Sequence, residues 1–339
     1  MAKSFGILPN GQSASLHTIS CGSITAEISD YGATLVRLWV PSKDGILADV
    51  VLGYDDVNGY AQGKCYFGGT VGRCANRIAG ASFRLNGKTI QLPANENGNT
   101  LHSGPDCWHQ RLWEVEFAAE NVITLRLDSP DGDQGFPGRA VVRVTYELDP
   151  MGALHISYDG DCDQDTVFNL TNHSYFNLAG HNHPEAAIEQ LLTIPGQTFC
   201  PDDAANIPTG EERDVEGTPF DFRKPKAIGR DIEMDDECLK LQGGYDHNFE
   251  VYSNPAAILS APDGSRRMIV YTDLPGIQFY AGNFINNESG KDGVTYTRRS
   301  GVALETQYYP NALNNPEWDQ PITPRGEHFH SETVYWFQK

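Results

Sequence analysis

The chain has 339 residues, 39% hydrophobic and 21% charged, with 34 glycines and 20 prolines. That balance excludes a disordered chain and describes a turn-rich globular protein of a size that one large β domain reaches. A formal net charge of −20 repels phosphate backbones and anionic lipid, which argues against nucleic acid and membrane partners and favours a neutral small-molecule ligand.

Taken in chain order, the segment Met1 to Asn10 has no apolar core or cleavage site. No later stretch reaches the roughly 18 apolar residues of a membrane-spanning helix, so a soluble, cytoplasmic protein is expected. Ile24 to Ile28 alternates apolar and polar residues, and Thr34 to Val40 is β-branched and aromatic, ending at the turn Ser42-Lys43-Asp44-Gly45. Strand, turn, strand is the pattern. Asn86-Gly87 between Ala81–Leu85 and Lys88–Leu92 is a strong hairpin signal. Asp149-Pro150-Met151-Gly152 and Pro262-Asp263-Gly264 are further ones. Helices are accessories: Tyr54 to Gln62 and part of Lys226 to Leu241 are each long enough for one or two turns. Cys200 to Arg223 reads as one long surface loop. With no fixed-period repeat and no linker, residues 1–339 are assigned to a single antiparallel β domain.

Seven cysteines, odd in number and scattered without a C-x-x-C pair, read as buried or free thiols in a reducing compartment. His181-x-His183 and His328-x-His330 share strand faces, but no third ligand accompanies either pair, so no metal is expected. The acidic run Asp231, Glu233, Asp235, Asp236 and Glu237 reads as a solvated face. A Rossmann glycine fingerprint, a P-loop and a Gly-x-Ser-x-Gly elbow are all missing.

Five segments concentrate polar, ionisable and aromatic residues beyond what a strand needs: Gly72–Ile78, Thr100–Gly104, Asn172–Leu178, Gly244–Phe249 and Ala303–Pro310. Alone, His173 reads more readily as a core histidine satisfied by backbone. Glu305 within an apolar strand either faces solvent or is buried with a perturbed pKa, and the second option suits a general base. Arg77 alone fits a structural ion pair, and Asp246 a turn.

Taken together and in order, these motifs resemble the aldose 1-epimerase family, the galactose mutarotases, from about Gly6 to the C-terminal strand. The resemblance implies an all-β fold, a large two-layered antiparallel β-sandwich of the galactose mutarotase-like supersandwich type with few short helices and an open sugar cleft. It implies His173 as general acid and Glu305 as general base. It places Asn76, Arg77, His102, Asp246 and Gln278 at sugar-contacting positions, with Tyr175 or Phe279 as an aromatic for the sugar's apolar face. The implied reaction interconverts the anomers of a free hexose such as galactose or glucose and needs no cofactor: the base takes the C1 hydroxyl proton, and the acid protonates the ring oxygen. An acid of histidine type has to be charged when sugar binds, with the base ionised, so a nearby carboxylate, Glu305 or Asp246, is expected to help hold the proton on His173.

The nearest rival is a hexose-6-phosphate 1-epimerase, which requires basic residues at the distal end of the cleft; Arg73 and Arg77 do not decide the matter. A non-catalytic sugar-binding module would tolerate loss of the acid or base, and both are present. A glycosidase would need two carboxylates flanking the bond. A monomer or homodimer is expected.

Overall fold

Strict two-residue alternation builds the largest sheet. In Ala140–Leu148, residues Ala140, Val142, Val144, Tyr146 and Leu148 are buried while their neighbours reach solvent in part, as a strand with one face on a core requires. The structure, a computed structural model, describes residues 2–338. Nine strands pair antiparallel in the order 114–118, 122–129, 140–148, 153–162, 328–338, 267–272, 257–260, 191–193 and 226–227. A second sheet of five consecutive strands runs from Ala2–Ile7 to Leu47–Asp49. A third has six strands in the order 175–176, 302–307, 276–280, 246–250, 198–199 and 213–214.

The three sheets enclose one main apolar cluster, which takes in Ile28 and Leu38 of the five-stranded sheet, Val144 and Ile156 of the nine-stranded sheet, and Phe249, Ile277 and Leu304 of the six-stranded sheet. Across this layer the Tyr335 hydroxyl donates to the Leu304 carbonyl at 3.1 Å, and the Phe176 and Tyr335 rings lie 5.0 Å apart. The expected antiparallel β-sandwich is thus the observed architecture.

The hairpins fall where the turn residues place them. Asn86 (φ 52°) and Gly87 (φ 76°) join Ser82–Leu85 to Lys88–Gln91, the positive φ pair that a two-residue hairpin favours. Helices are short: Val57–Gln62 is capped by the Asp56 carboxylate and Glu237–Gln242 by that of Asp236. Asp236 therefore serves as an N-cap rather than as part of a purely solvated face. Asp231, from the same run, pairs with Lys226 at 2.9 Å. Among the described residues no helix is long and apolar enough to cross a membrane, and all seven cysteines are free.

Two expectations are corrected here. Cys200 to Arg223 is not a surface loop throughout: Cys200, Val215, Phe220 and Phe222 are buried, and Phe220 stacks on Phe199 at 4.0 Å. Apolar residues spaced irregularly through a polar run escaped the periodicity test, since a loop packed by its own aromatics has no period. Phe279 does not face a ligand; it is fully buried on the core face of its strand, stacked with Tyr245 at 5.2 Å and edge-on to Phe222 at 5.4 Å. Phe279→Ala is accordingly expected to lower unfolding stability by about 3–5 kcal/mol in a denaturant titration; a loss below about 1 kcal/mol would contradict its place in the core.

Candidate active site

Strand Val302–Gln307 is buried along both faces. Val302, Leu304 and Thr306 point into the sandwich, where the Thr306 and Thr333 hydroxyls meet. The alternate residues Ala303, Glu305 and Gln307 take the opposite face. Register sets Glu305 opposite Gln278 and Gln278 opposite Asn248, and sets Tyr175, Ala303, Tyr280 and Asp246 in the adjoining row. This face forms the floor of an open cavity of about 730 Å³, which Asn76, Arg77, His102, His173, Tyr175, Asp246 and Glu305 all line.

His173 sits in the two-residue link between the short strands Thr171–Asn172 and Tyr175–Phe176. Asn172 Oδ1 accepts from the Ser174 amide at 3.1 Å and its hydroxyl at 2.5 Å, while Asn172 Nδ2 donates to the Gly68 carbonyl and to the Tyr146 hydroxyl. The imidazole thereby places Nε2 3.6 Å from Glu305 Oε1. Both residues are 5% exposed or less. Burial draws His173 down to about 4, against the hydrogen bond of its own backbone. Burial also holds Glu305 well above the usual carboxylate range; the Asp246 charge adds to that push and Arg77 opposes it. The adjacent carboxyl does not lift His173 because the same burial neutralises it.

Of the expected partners of His173, Glu305 is the one beside it. Asp246 instead receives the Gln278 amide at 2.8 Å, and burial pushes it up against the pull of Arg77 and that hydrogen bond. Gln278 stands behind Asp246 and does not line the cavity. Arg77 gives Nε and Nη2 to Glu96 at 2.5 and 2.9 Å. Its fork is therefore engaged as an ion pair, and among the described residues Nη1 has no protein partner. His102 Nδ1 accepts from the Asn76 amide at 3.1 Å, which makes the ring neutral with Nε2–H as its remaining donor; burial above all, with His173, Arg77 and His109 nearby, holds it well below its ordinary value. Tyr175 reaches the wall but gives its ring face to His173, 5.0 Å away and inclined by 26°.

Arg73 lies outside the cavity. It is 1% exposed and donates to the Pro137 and Gly138 carbonyls and to the Thr166 and Ser129 hydroxyls. Missing from the sequence reading were Tyr66, Glu96, Tyr280 and Phe284, which also line the space. Glu96 carries no local signal, because its role comes from a turn that brings it back to Arg77. Tyr66 precedes the pair Gly68-Gly69, a cue that the backbone passes close to something there.

Glu305 Oε2, Gln278 Oε1 and both amide atoms of Asn248 and of Gln307 are buried without a partner among the described residues. A core built only for stability satisfies such groups; Glu305 Oε2, the one of these atoms whose residue lines the cavity, suits a polar, many-hydroxyl ligand.

The family model described as aldose 1-epimerase matches residues 15–336. The galactose mutarotase of Mus musculus is 39% identical, with 98% of this chain and 96% of that protein covered. The aldose 1-epimerase of Haemophilus influenzae is 37% identical, with 97% of each covered. Among solved structures, an aldose epimerase homologue from C. elegans superposes with a TM-score of 0.88 at 29% identity, covering 96% of this chain and 99% of that one. By sequence over nearly its whole length, and by the fold that carries the cavity, the chain belongs to the aldose 1-epimerase family.

Proposed function

We propose that the protein interconverts the α and β anomers of a free hexose such as galactose or glucose, with His173 as general acid and Glu305 as general base. The observation that carries this reading is the pairing of one imidazole and one carboxyl, 3.6 Å apart, on the floor of an open polar cavity. Glu305 takes the proton of the C1 hydroxyl while His173 gives one to the ring oxygen. The C1–O5 bond breaks to the open-chain aldehyde, rotation about C1–C2 exposes the other carbonyl face, and the reverse transfers close the ring. Protons and electrons balance without a cofactor. Arg77 Nη1, the His102 Nε2–H and the Asn76 amide supply donors for ring hydroxyls, Asp246 accepts from them, and Gln278 positions Asp246. The naming of the mouse relative as a galactose mutarotase supports galactose as a substrate.

A hexose 6-phosphate is the weaker reading. Lys64 lines the cavity together with the carboxylates Glu96 and Glu288, and Arg73 is engaged by backbone carbonyls outside it. One domain spanning residues 1–339 supports the reaction, since its main buried cluster draws on side chains from Ile19 to Phe337. A reducing, cytoplasmic compartment suits seven free thiols.

The charged His173 and ionised Glu305 of the sequence expectation belong to the sugar-bound site. Burial in the free site favours imidazole beside carboxylic acid. Both arrangements hold one proton, so a single transfer from Glu305 to His173 on sugar binding arms the pair without exchange with bulk water.

Polarimetry on freshly dissolved α-galactose or α-glucose is expected to show accelerated approach to equilibrium rotation, and Glu305→Gln and His173→Asn each to lower kcat by about 10²- to 10⁴-fold. An inactive wild-type chain would defeat the reading. In a parallel assay, glucose 6-phosphate is expected to be the poorer substrate; a preference for it would move the assignment to the rival. For pH dependence, the one-proton state gains a second proton below the His173 value of about 4 and loses its proton above the raised Glu305 value. The buffer-corrected kcat/KM is therefore expected to hold from mildly acidic to neutral pH, with its acid limb well below the ordinary imidazole value of about 6.5. An acid limb at that ordinary value would refute the neutral pair.

A further inference from the structure

Tyr66 occupies a backbone conformation that its side chain disfavours, with φ +57°; a bulky residue in the left-handed region is an outlier held by its surroundings. The turn that holds it is fastened to the backbone of His173 in both directions. The Gly68 amide donates to the His173 carbonyl at 2.9 Å, and the His173 amide donates to the Gly69 carbonyl at 2.9 Å. The Gly69 amide closes the turn onto the Tyr66 carbonyl at 3.0 Å. Gly68 (φ +64°) has no room for a side chain, since a Cβ there would meet the Leu35 carbonyl oxygen at 2.0 Å.

This geometry delivers the Tyr66 ring onto the imidazole. The two rings are 5.5 Å apart and 20° from parallel, and Tyr175 lies near-parallel to the same imidazole at 5.0 Å. Tyr66 also meets the His102 ring edge-on at 4.8 Å and the His109 ring at 4.6 Å. Burial pushes its hydroxyl up to about 12, so the ring is a neutral phenol and takes no proton from sugar. A neutral aromatic face restrains the plane of an imidazole in either charge state and accommodates the cation.

We propose that Tyr66 is a positioning residue for the anomer exchange: its ring, set by the left-handed turn that hydrogen-bonds to His173, holds the imidazole in the plane that aims Nε2 at Glu305 and the cavity. This rests on the reading of His173 as the acid. A residue of this kind acts on the chemical step more than on sugar affinity, because misaimed proton transfer leaves the hydroxyl contacts intact.

Three variants and one spectrum test it. Tyr66→Asn removes the ring with a residue that accepts the left-handed backbone, Tyr66→Met is a second ring-free variant, and Tyr66→Phe keeps the ring. With galactose, either ring-free variant is expected to lose about 10- to 100-fold in kcat, while KM moves less than about threefold and Tyr66→Phe stays within about threefold of wild type. An unchanged kcat without the ring, a loss carried by KM alone, or an equal loss in Tyr66→Phe overturns the proposal. The ring-proton resonances of His173, assigned by their loss in His173→Asn, are expected upfield of free imidazole in wild type and Tyr66→Phe under the facing ring currents. Free-imidazole positions in the wild-type chain overturn the stack even where a ring-free variant fails to fold. A wild-type chain that does not accelerate anomer exchange defeats the proposed function instead, and the spectrum still decides whether Tyr66 restrains His173.

Discussion

Everything at the cavity follows from a strand with neither face in water. Val302–Gln307 presents Leu304 and Thr306 to the sandwich core and Glu305 to the cavity floor. The strand lies inside its sheet, with Val302 and Ala303 paired to 175–176 and Ala303 to Gln307 paired to 276–280, so its backbone cannot shift by one residue without turning Glu305 into the core. A carboxyl fixed this way keeps a raised proton affinity, because its solvent has been replaced by protein before any ligand arrives. The same burial acts on His173 in the opposite sense. Two groups that are far apart in acidity in water are thereby brought to compete for one proton.

How much of this was legible in the sequence depended on how local each feature is. The hairpins at Asn86-Gly87 and Asp149–Gly152, and the alternation that fills the long strands, are set by neighbouring residues and were read correctly. The family motifs located the segments that line the cavity, and His173, Glu305, Asn76, Arg77, His102, Tyr175 and Asp246 are indeed gathered on its walls. Which side of a strand a residue occupies is a tertiary fact. Gln278 and Phe279 are adjacent in sequence, yet the pairing of Gln278 with Glu305 turns one toward the site's second tier and the other into the core. Arg73 and Arg77 were likewise indistinguishable by type, and only the surrounding carbonyls and Glu96 separate a buried strut from a cavity wall.

The site is also built more from backbone than its list of side chains suggests. His102 and Asn76 hold each other through the His102 amide on the Asn76 carbonyl and the Asn76 amide on the imidazole, and both have positive φ. Conformations of that kind, costing about 1–3 kcal/mol each, persist only where the surrounding fold over-determines them. The pairing of Arg77–Ile78 with Thr100–Leu101 brings the two residues together.

The width of the cavity has a consequence of its own. Its floor is sheet and its mouth is open, with Phe284 exposed at the rim, so ligand entry and departure require no domain closure. Residence is then set by the few hydroxyl contacts alone. For a reaction whose two sides differ in the configuration of one carbon, substrate and product then pass through the same open mouth.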